Sequence, residues 1–196
     1  MRVIAGEFRS RALISPAGTH TRPTSDKLRE TLFNILAHWP GVELRGAVFA
    51  DLFAGSGAVG IEALSRVAAH CFFVEQAGPA IAAIRKNLTA LKIGDDRATV
   101  VRGDAADFVR SPTQQVNCIF LDPPYDDAEA YSQALHAIAG GDALSPGGIV
   151  IAEHAAAKSR QNGFTPADNY SALHRVRLLE QGDTALSFFQ VPPYGL

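Results

Sequence analysis

A carboxylate, two prolines and an aromatic ring follow an apolar segment near the middle of the chain. The segment Val116–Asp122 has the composition of a buried strand that ends in Asp122, and Pro123, Pro124 and Tyr125 come directly after it. Proline fixes its own φ and restricts the residue before it, so the backbone of this turn has few conformations. The turn therefore holds a hydrogen-bond acceptor and a flat ring in fixed positions at the end of a strand.

The other predicted parallel strands also end at or beside a carboxylate. The carboxyl ends of parallel strands share one edge of a sheet, and ligands bind at that edge. Aspartate is a common helix N-cap, which accounts for a single acid of this kind but not for the whole set. We therefore expect a ligand site formed by the acids at this edge, which are Asp51, Glu75, Asp104, Asp122 and Glu153.

A glycine-rich turn follows the first of these strands. Gly55, Gly57 and Gly60 match the pattern G-x-G-x-x-G, which permits a tight turn and lets a ligand approach the backbone. Glu75 lies 20 residues after Gly55, where an acid that binds ribose hydroxyls is expected. The pattern alone fits a dinucleotide as well as another nucleoside.

Two residues at the end of the first strand argue against a dinucleotide. Asp51 and Phe53 stand where a pyrophosphate would need free backbone amides, and a carboxylate would repel it. S-adenosylmethionine fits better, because it carries an amino group, a sulfonium and a ribose diol but no phosphate. We assign Asp51 to its amino group, Glu75 to its ribose and Asp104 to its adenine edge. The complete predicted cofactor site is Asp51, Phe53, Gly55, Gly57, Glu75, Asp104 and Ala105.

Apolar and helical segments alternate around these motifs and predict an α/β fold with a mostly parallel sheet covered by helices on both faces. The predicted strands are Ala47–Asp51, His70–Glu75, Thr99–Arg102, Val116–Asp122, Ile149–Glu153 and a C-terminal antiparallel hairpin of Leu173–Leu179 and Ala185–Val191. This gives seven strands. The predicted helices are one from Ser25 to the Trp39-Pro40-Gly41 stop, Val59–Ala68, Pro79–Leu91, a short one after Asp104, and Ala128–Ala139.

The charge is distributed unevenly along the chain. The net charge is −2, yet the first 30 residues carry six Lys or Arg against three acids. We therefore divide the chain into a basic N-terminal arm, residues 1–24, with a possible hairpin, and an α/β domain, residues 25–196. The arm suits a polyanionic partner bound through Arg2, Arg9, Arg11 and Arg22, although an ordinary solvated face gives the same pattern.

Several classes of protein do not fit the composition. The two cysteines, Cys71 and Cys118, fall in predicted buried strands and lack metal-ligand spacing, which indicates a reducing compartment. The sequence starts without a signal-peptide pattern, and no apolar run reaches the ~20 residues of a membrane span. We expect a cytoplasmic monomer that needs neither a metal nor a membrane.

Together these motifs resemble the class I S-adenosylmethionine-dependent methyltransferases, and Asp122–Tyr125 resembles the motif of those that methylate exocyclic amino groups. Leu144–Gly148 before the fifth strand resembles a common feature of the same class I fold. Further segments are similar to the bacterial 16S ribosomal RNA (guanine 966) N2-methyltransferase family, namely Val3–Gly6, Arg22–Asn34 and Gly182–Thr184. The resemblance implies a Rossmann-like fold and methyl transfer to guanine N2 in small-subunit ribosomal RNA. It also implies that Asp122 and the Pro123 carbonyl accept the N–H bonds of the amine, that Pro124 fixes that carbonyl, and that Tyr125 stacks on the base.

Other functions remain possible on the motifs alone. A DNA adenine N6-methyltransferase uses the same Asp-Pro-Pro-Tyr motif, but the chain has no spare ~100 residues to read a DNA sequence. A nicotinamide-dependent oxidoreductase would use the glycine pattern, and Asp51 and Asp122–Tyr125 argue against it. A non-catalytic ribosome-binding module would not need the carboxylates at the strand ends.

Overall fold

The sheet is built from five parallel strands extended by three antiparallel ones. A computed structural model of the chain describes residues 1–16, 24–159 and 163–192. The strands are β1 (Val48–Leu52), β2 (His70–Glu75), β3 (Ala98–Arg102), β4 (Val116–Leu121), β5 (Leu144–Ala155), β6 (Asn169–Tyr170), β7 (Leu173–Gln181) and β8 (Thr184–Gln190). The helices are α1 (Asp26–Leu36), α2 (Ala58–Ser65), α3 (Gly78–Leu91), α4 (Ala105–Arg110) and α5 (Ala128–Ala139).

The strands lie in the order β3-β2-β1-β4-β5-β8-β7-β6. The predicted mostly parallel sheet with an antiparallel C-terminal hairpin is confirmed, but the predicted count of seven is wrong because the described residues already form eight strands. The extra strand, β6, has two residues, which is too short to produce an alternating pattern in the sequence. The chain order reverses between β1 and β4, so the open crevice of the sheet lies at their carboxyl ends.

Side chains alternate between the two faces of the sheet and form two cores. Phe49, Phe73 and Ile151 pack with residues of α1, α2 and α3 in one core. Ala50, Leu52, Val74 and Ala152 pack with residues of α4 and α5 in the other. Because the side-chain period of a strand is two, Asp51, Glu75 and Glu153 point to the same side as Phe49, Phe73 and Ile151.

The ends of the helices coincide with residues that commonly start or stop a helix. Ser25 caps α1 by accepting a hydrogen bond from the Leu28 amide, and α3 has Pro79 in its first turn. The helix predicted over Val59–Ala68 ends earlier, at Ser65, because Val67 has a left-handed backbone with φ 74°. In the parts of the chain that the structure describes, no helix is long and apolar enough to cross a membrane.

The N-terminal segment (residues 1–16) lies against α2 and α3. It folds back on itself through one antiparallel bridge between Arg2 and Ala12, and it buries Val3, Phe8 and Leu13 in the core. The side chain of Asn87 in α3 binds both the amide and the carbonyl of Ile14. The division of the chain at residue 24 stays a prediction, but these contacts fasten the first 14 residues to the sheet-covering helices.

Glu62 of α2 is the main fastening point of the N-terminal segment. Its carboxylate accepts the amides of Ile4 at 2.8 Å and Ala5 at 3.0 Å, and it also accepts Arg66 Nε at 2.8 Å. The buried guanidinium of Arg29 lies 3.8 Å from the same carboxylate and donates to the Arg2 carbonyl. Two backbone amides and two cations therefore depend on one fully buried acid.

Replacing Glu62 with alanine should strongly destabilise the protein. The change removes one of the two acids beside the buried Arg29 guanidinium, leaves it with the partly exposed Asp26, and removes the acceptor of two backbone amides. Together these losses are expected to cost about 3–5 kcal/mol. Urea unfolding followed by circular dichroism measures this cost. The matched control is Asp107→Ala, which removes an exposed ion pair with Arg110 and should cost less than about 1 kcal/mol. Equal losses in the two variants would contradict the role given to Glu62.

Candidate active site

Two acids meet at the crevice where the chain order reverses. Asp51 is almost completely buried in β1, and its Oδ2 accepts the Gly60 amide of α2 at 2.8 Å. Burial raises the pKa of Asp51 to about 8; the Gly60 amide opposes the rise and the charge of Glu75 adds to it. Asp122 follows β4, the neighbour of β1, and its amide donates to the Leu52 carbonyl at 3.4 Å.

The glycine turn is held between Asp51 and Glu75. Glu75 accepts the Gly55 amide with Oε2, and its Oε1 accepts two amides of its own turn. Gly55 and Gly57 have positive φ values of 55° and 77°, which a side chain would oppose. At Gly60 a Cβ would lie 2.4 Å from Phe73 Cε1, so the third glycine permits close packing of α2 on the sheet.

A cavity of about 610 Å³ opens beside this turn at the carboxyl edge of the sheet. Phe53, Glu75, Asp104 and Ala105, four of the predicted cofactor residues, line it. Phe53 adopts φ 60°, a backbone conformation that bulky residues rarely adopt and that is found at functional sites. The other three predicted cofactor residues, Asp51, Gly55 and Gly57, are not part of the cavity lining. They belong to the strand end and turn beside it, which the hydrogen bonds of Asp51 and Glu75 hold in place.

The far wall of the cavity comes from residues that the sequence motifs do not mark. Gln76 donates to Asp104 Oδ2 at 2.9 Å, and Asp104 also caps α4 through its Oδ1. Gln133 and Asp127 belong to α5 and its N-cap and complete the lining. Among these residues, Asp127 is the one whose place the sequence could have indicated. As a typical N-cap residue it marks the start of α5, which puts that helix end close to Pro124 and the cavity.

The loop from Asp122 to Tyr125 lies between this cavity and the buried end of β5. Pro124 lines the cavity, whereas the Pro123 carbonyl lies 3.2 Å from the Tyr131 hydroxyl. The Tyr125 hydroxyl contacts Glu153 Oε1 at 3.1 Å and Thr184 Oγ1 at 3.2 Å. The loop is thus tied to three other elements, α5, β5 and β8.

Asp122 differs from the other acids of the edge. Within the described residues, no hydrogen bond reaches its carboxylate, whereas Asp51, Glu75, Asp104 and Glu153 all accept hydrogen bonds from the protein. Burial raises the pKa of Asp122 well above its ordinary value, and the charges of Glu153 and Asp51 raise it further. An acceptor that the protein itself does not use is available to a ligand.

The cavity and its donors and acceptors fit a cationic nucleoside. Sites for small molecules commonly have volumes of ~300–1,000 Å³, and this cavity falls in that range. Its acids accept hydroxyl groups and favour positive charge, which suits a ribose and a sulfonium and opposes a phosphate. In the described part of the chain, no three His, Cys, Asp or Glu side chains come together as metal ligands.

Comparison with known proteins assigns the chain to a family. The family described as "Conserved hypothetical protein 95" matches residues 1–190. Ribosomal RNA small subunit methyltransferase D of Haemophilus influenzae is 35% identical over 155 residues, which are 78% of each chain. The protein of the same name from Escherichia coli K12 is 41% identical over 125 residues, 64% of this chain and 60% of the relative.

This chain belongs to that family. The solved structure of yhhF from Escherichia coli is 32% identical, covers 97% of both chains and has a TM-score of 0.79. The family resemblance and the Rossmann-like fold that the sequence predicts are therefore confirmed.

Three of the four predicted substrate-binding arginines, Arg2, Arg9 and Arg11, lie in the N-terminal segment that the structure describes. Arg2 lies near the start of α1 and pairs with Asp26 at 3.6 Å, while Arg11 donates to the Ala90 carbonyl on α3. Arg9 is in the turn that packs on Ser65, at the end of α2 away from the glycine turn. Arg22 falls outside the residues that the structure describes. The substrate-binding role of these arginines stays a prediction.

Replacing Asp51 with asparagine should change how stability depends on pH. Since the folded pKa of Asp51, about 8, lies above its unfolded value of 3.8, the folded state binds more protons and loses stability as pH rises between these values. Asparagine does not titrate, so Asp51→Asn does not suffer this loss. Its free energy of unfolding, relative to that of the parent, should therefore rise by at least ~1 kcal/mol from about pH 5 to about pH 8.

Urea unfolding at the two pH values gives this double difference. The exposed Asp107→Asn serves as the control, with no expected change in the difference. If Asp51→Asn altered stability by the same amount at both pH values, the buried carboxyl would not carry the proton proposed for it.

Proposed function

We propose that the protein transfers a methyl group from S-adenosylmethionine to the exocyclic N2 amino group of a guanine in 16S ribosomal RNA. The observation that carries the proposal is the Asp122 carboxylate, which accepts no hydrogen bond from the described residues and belongs to the loop whose Pro124 lines the cavity. The names of the relatives, which act on ribosomal RNA of the small subunit, support this substrate.

Four residues would hold the methyl donor in the cavity. Glu75, Asp104 and Ala105 line the cavity, and we propose that Glu75 accepts the ribose hydroxyls and that Asp104 and Ala105 bind the adenine edge. Asp51 lies behind the glycine turn, and the amino group of the ligand would favour its ionised form. S-adenosylmethionine, when bound there, supplies an electrophilic methyl group on a sulfonium.

The loop from Asp122 to Tyr125 prepares the amine for reaction. An exocyclic amino nitrogen is a weak nucleophile because its lone pair is delocalised into the ring. Asp122 accepts one N–H bond and the Pro123 carbonyl accepts the other, which favours the pyramidal nitrogen. The carbonyl has two lone pairs, so it can bind the Tyr131 hydroxyl and the amine together. The raised pKa of Asp122 also enables it to take the proton that the amine loses.

The Tyr125 ring is suited to stack on a base that has been turned out of its neighbours. Phosphate contacts would supply most of the RNA affinity. Arg2 and Arg9 are exposed and stay candidates for such contacts, together with Arg11 and Arg22. Since the exposed Arg2, Arg9 and Arg11 all belong to the N-terminal segment, we propose that RNA crosses the outer surface of that segment.

The proposed cofactor site predicts weaker binding when Glu75 is changed. Glu75→Gln should reduce S-adenosylmethionine affinity by ~1–3 kcal/mol, because it loses charged acceptors for the ribose hydroxyls. Isothermal calorimetry measures this directly. The control is Glu129→Gln at the rim of the same cavity, which is exposed and should change affinity by less than about 0.5 kcal/mol. Unchanged affinity in Glu75→Gln would remove this residue from the site.

The proposed chemistry predicts that Asp122 matters for turnover and not for cofactor binding. Asp122→Ala should lower turnover at least ~10²-fold while cofactor affinity stays nearly intact, because an acceptor needed in the transition state is lost. Since the ionised form of Asp122 accepts the amine and its pKa is raised, turnover of the parent should also increase with pH. Turnover is measured with labelled cofactor and small ribosomal subunits that lack the modification.

The methylated product identifies the substrate. Digestion of the RNA to nucleosides followed by mass spectrometry should give N2-methylguanosine. Formation of N6-methyladenine from DNA would be consistent with the proposed mechanism but would contradict the proposed substrate. A protein that binds the cofactor and methylates neither nucleic acid would overturn the proposed function.

A further inference from the structure

The buried carboxylate of Glu153 contacts the proposed catalytic loop but not the cofactor cavity. Glu153 lies in β5 and is only 3% exposed. Its Oε1 accepts the Tyr125 hydroxyl at 3.1 Å, and its Oε2 accepts the Thr24 hydroxyl at 2.7 Å. A buried carboxylate is costly unless it is hydrogen-bonded. Glu153 is therefore held in one orientation, and that orientation fixes where the Tyr125 hydroxyl can lie.

The backbone of Glu153 binds the same loop a second time. Its carbonyl accepts the Tyr131 hydroxyl at 2.6 Å, and this hydroxyl is 3.2 Å from the Pro123 carbonyl. The Tyr125 carbonyl in turn accepts the Phe164 amide at 2.8 Å. One residue of β5 thus contacts Tyr125 directly and Pro123 through the Tyr131 hydroxyl.

Three distant parts of the chain join the hydrogen-bond network of the Tyr125 hydroxyl: Glu153 and Thr184 contact it directly, and Thr24 contacts Glu153. Thr24 directly precedes the N-cap of α1, and Thr184 begins β8, where it pairs with Ala155 across the strands. Thr184 Oγ1 lies 3.2 Å from the Tyr125 hydroxyl, opposite Glu153. The segments Arg22–Asn34 and Gly182–Thr184, which the glycine turn and the strand-end acids leave unexplained, each supply one hydroxyl to this network.

Stacking of Tyr125 on a base does not by itself require the hydrogen bonds made by the Tyr125 hydroxyl. A phenylalanine ring stacks on a base as well as a tyrosine ring does, and it needs no buried carboxylate. The hydroxyl instead fixes the rotation and tilt of the ring, and with them the plane of any base stacked on it. Holding a reacting group within a fraction of an ångström of its productive position is worth large factors in rate.

We propose that Glu153 is a positioning residue, which sets the plane of the target base by holding the Tyr125 hydroxyl between itself and Thr184. The proposal rests on the proposed function, since it presumes that a base stacks on Tyr125. Thr24 fixes the second carboxylate oxygen, so the start of α1 takes part in the alignment as well. Glu153 acts through Tyr125 and does not touch the reacting atoms.

Three variants test the proposal in the methylation assay. Tyr125→Phe keeps the ring and loses the hydroxyl, and Glu153→Gln keeps the shape and loses one acceptor. Each should lower single-turnover rates about tenfold or more. RNA affinity should stay within about twofold, because phosphate contacts dominate it. The double variant should be no slower than the slower single variant, because both changes break the same interaction.

The control is Tyr170→Phe, which removes another tyrosine hydroxyl bond, to the Ala167 amide, away from the proposed catalytic loop. It should leave the rate unchanged even if it lowers the melting temperature. Parent-like rates in Tyr125→Phe, or effects that multiply in the double variant, would overturn the positioning role. Should Glu153→Gln not fold, Thr184→Val combined with Tyr125→Phe provides the same cycle. A parent protein that methylates no RNA would overturn the proposed function instead, and the positioning role with it.

Discussion

Several carboxylates converge at one edge of the sheet, and the structure around them has to stabilise this concentration of acids. Asp51, Glu75 and Glu153 project to the same side of neighbouring strands, and Asp122 follows the strand between two of them. Burial, and to a smaller degree the charges of neighbouring acids, raise the pKa of Asp51 and of Asp122. Such an edge favours a ligand with positive charge and disfavours a phosphate, which separates it from dinucleotide-binding versions of the same topology.

Each acid is tolerated for a different local reason. Glu75 accepts the Gly55 amide and Asp51 accepts the Gly60 amide, while Glu153 accepts hydrogen bonds from hydroxyl groups. The conformation of the glycine turn therefore depends on its hydrogen bonds to Glu75 and Asp51 as well as on the freedom of glycine residues. On the outer side of α2, Glu62 binds two amides of the N-terminal segment, so the helix that closes the glycine turn is also the helix that this segment fastens.

Much of this arrangement could be predicted from the sequence, because it follows from topology. Once strands and helices alternate, the strand ends must meet, and Phe53, Glu75, Asp104 and Ala105 do line one cavity. Gln76 and Gln133 could not be predicted in the same way, because their place depends on how α5 packs against the loops. The tie between Tyr125 and Thr184 spans 59 residues and depends on the register of the antiparallel strands, which no local pattern reveals.

The two acids nearest the Asp122–Tyr125 loop illustrate how a fold separates structural from chemical roles. Glu153 has its hydrogen-bonding capacity taken up by the protein, which makes it rigid and unreactive. Asp122, at the end of the adjacent strand, lacks such partners among the described residues, and burial together with the charges of Glu153 and Asp51 raises its pKa. That raised pKa reflects a destabilising interaction that the folded protein retains. Proteins commonly tolerate such local cost where a ligand supplies the missing partner. The rigidity given by Glu153 is what allows Asp122 to remain unsatisfied without the loop rearranging around it.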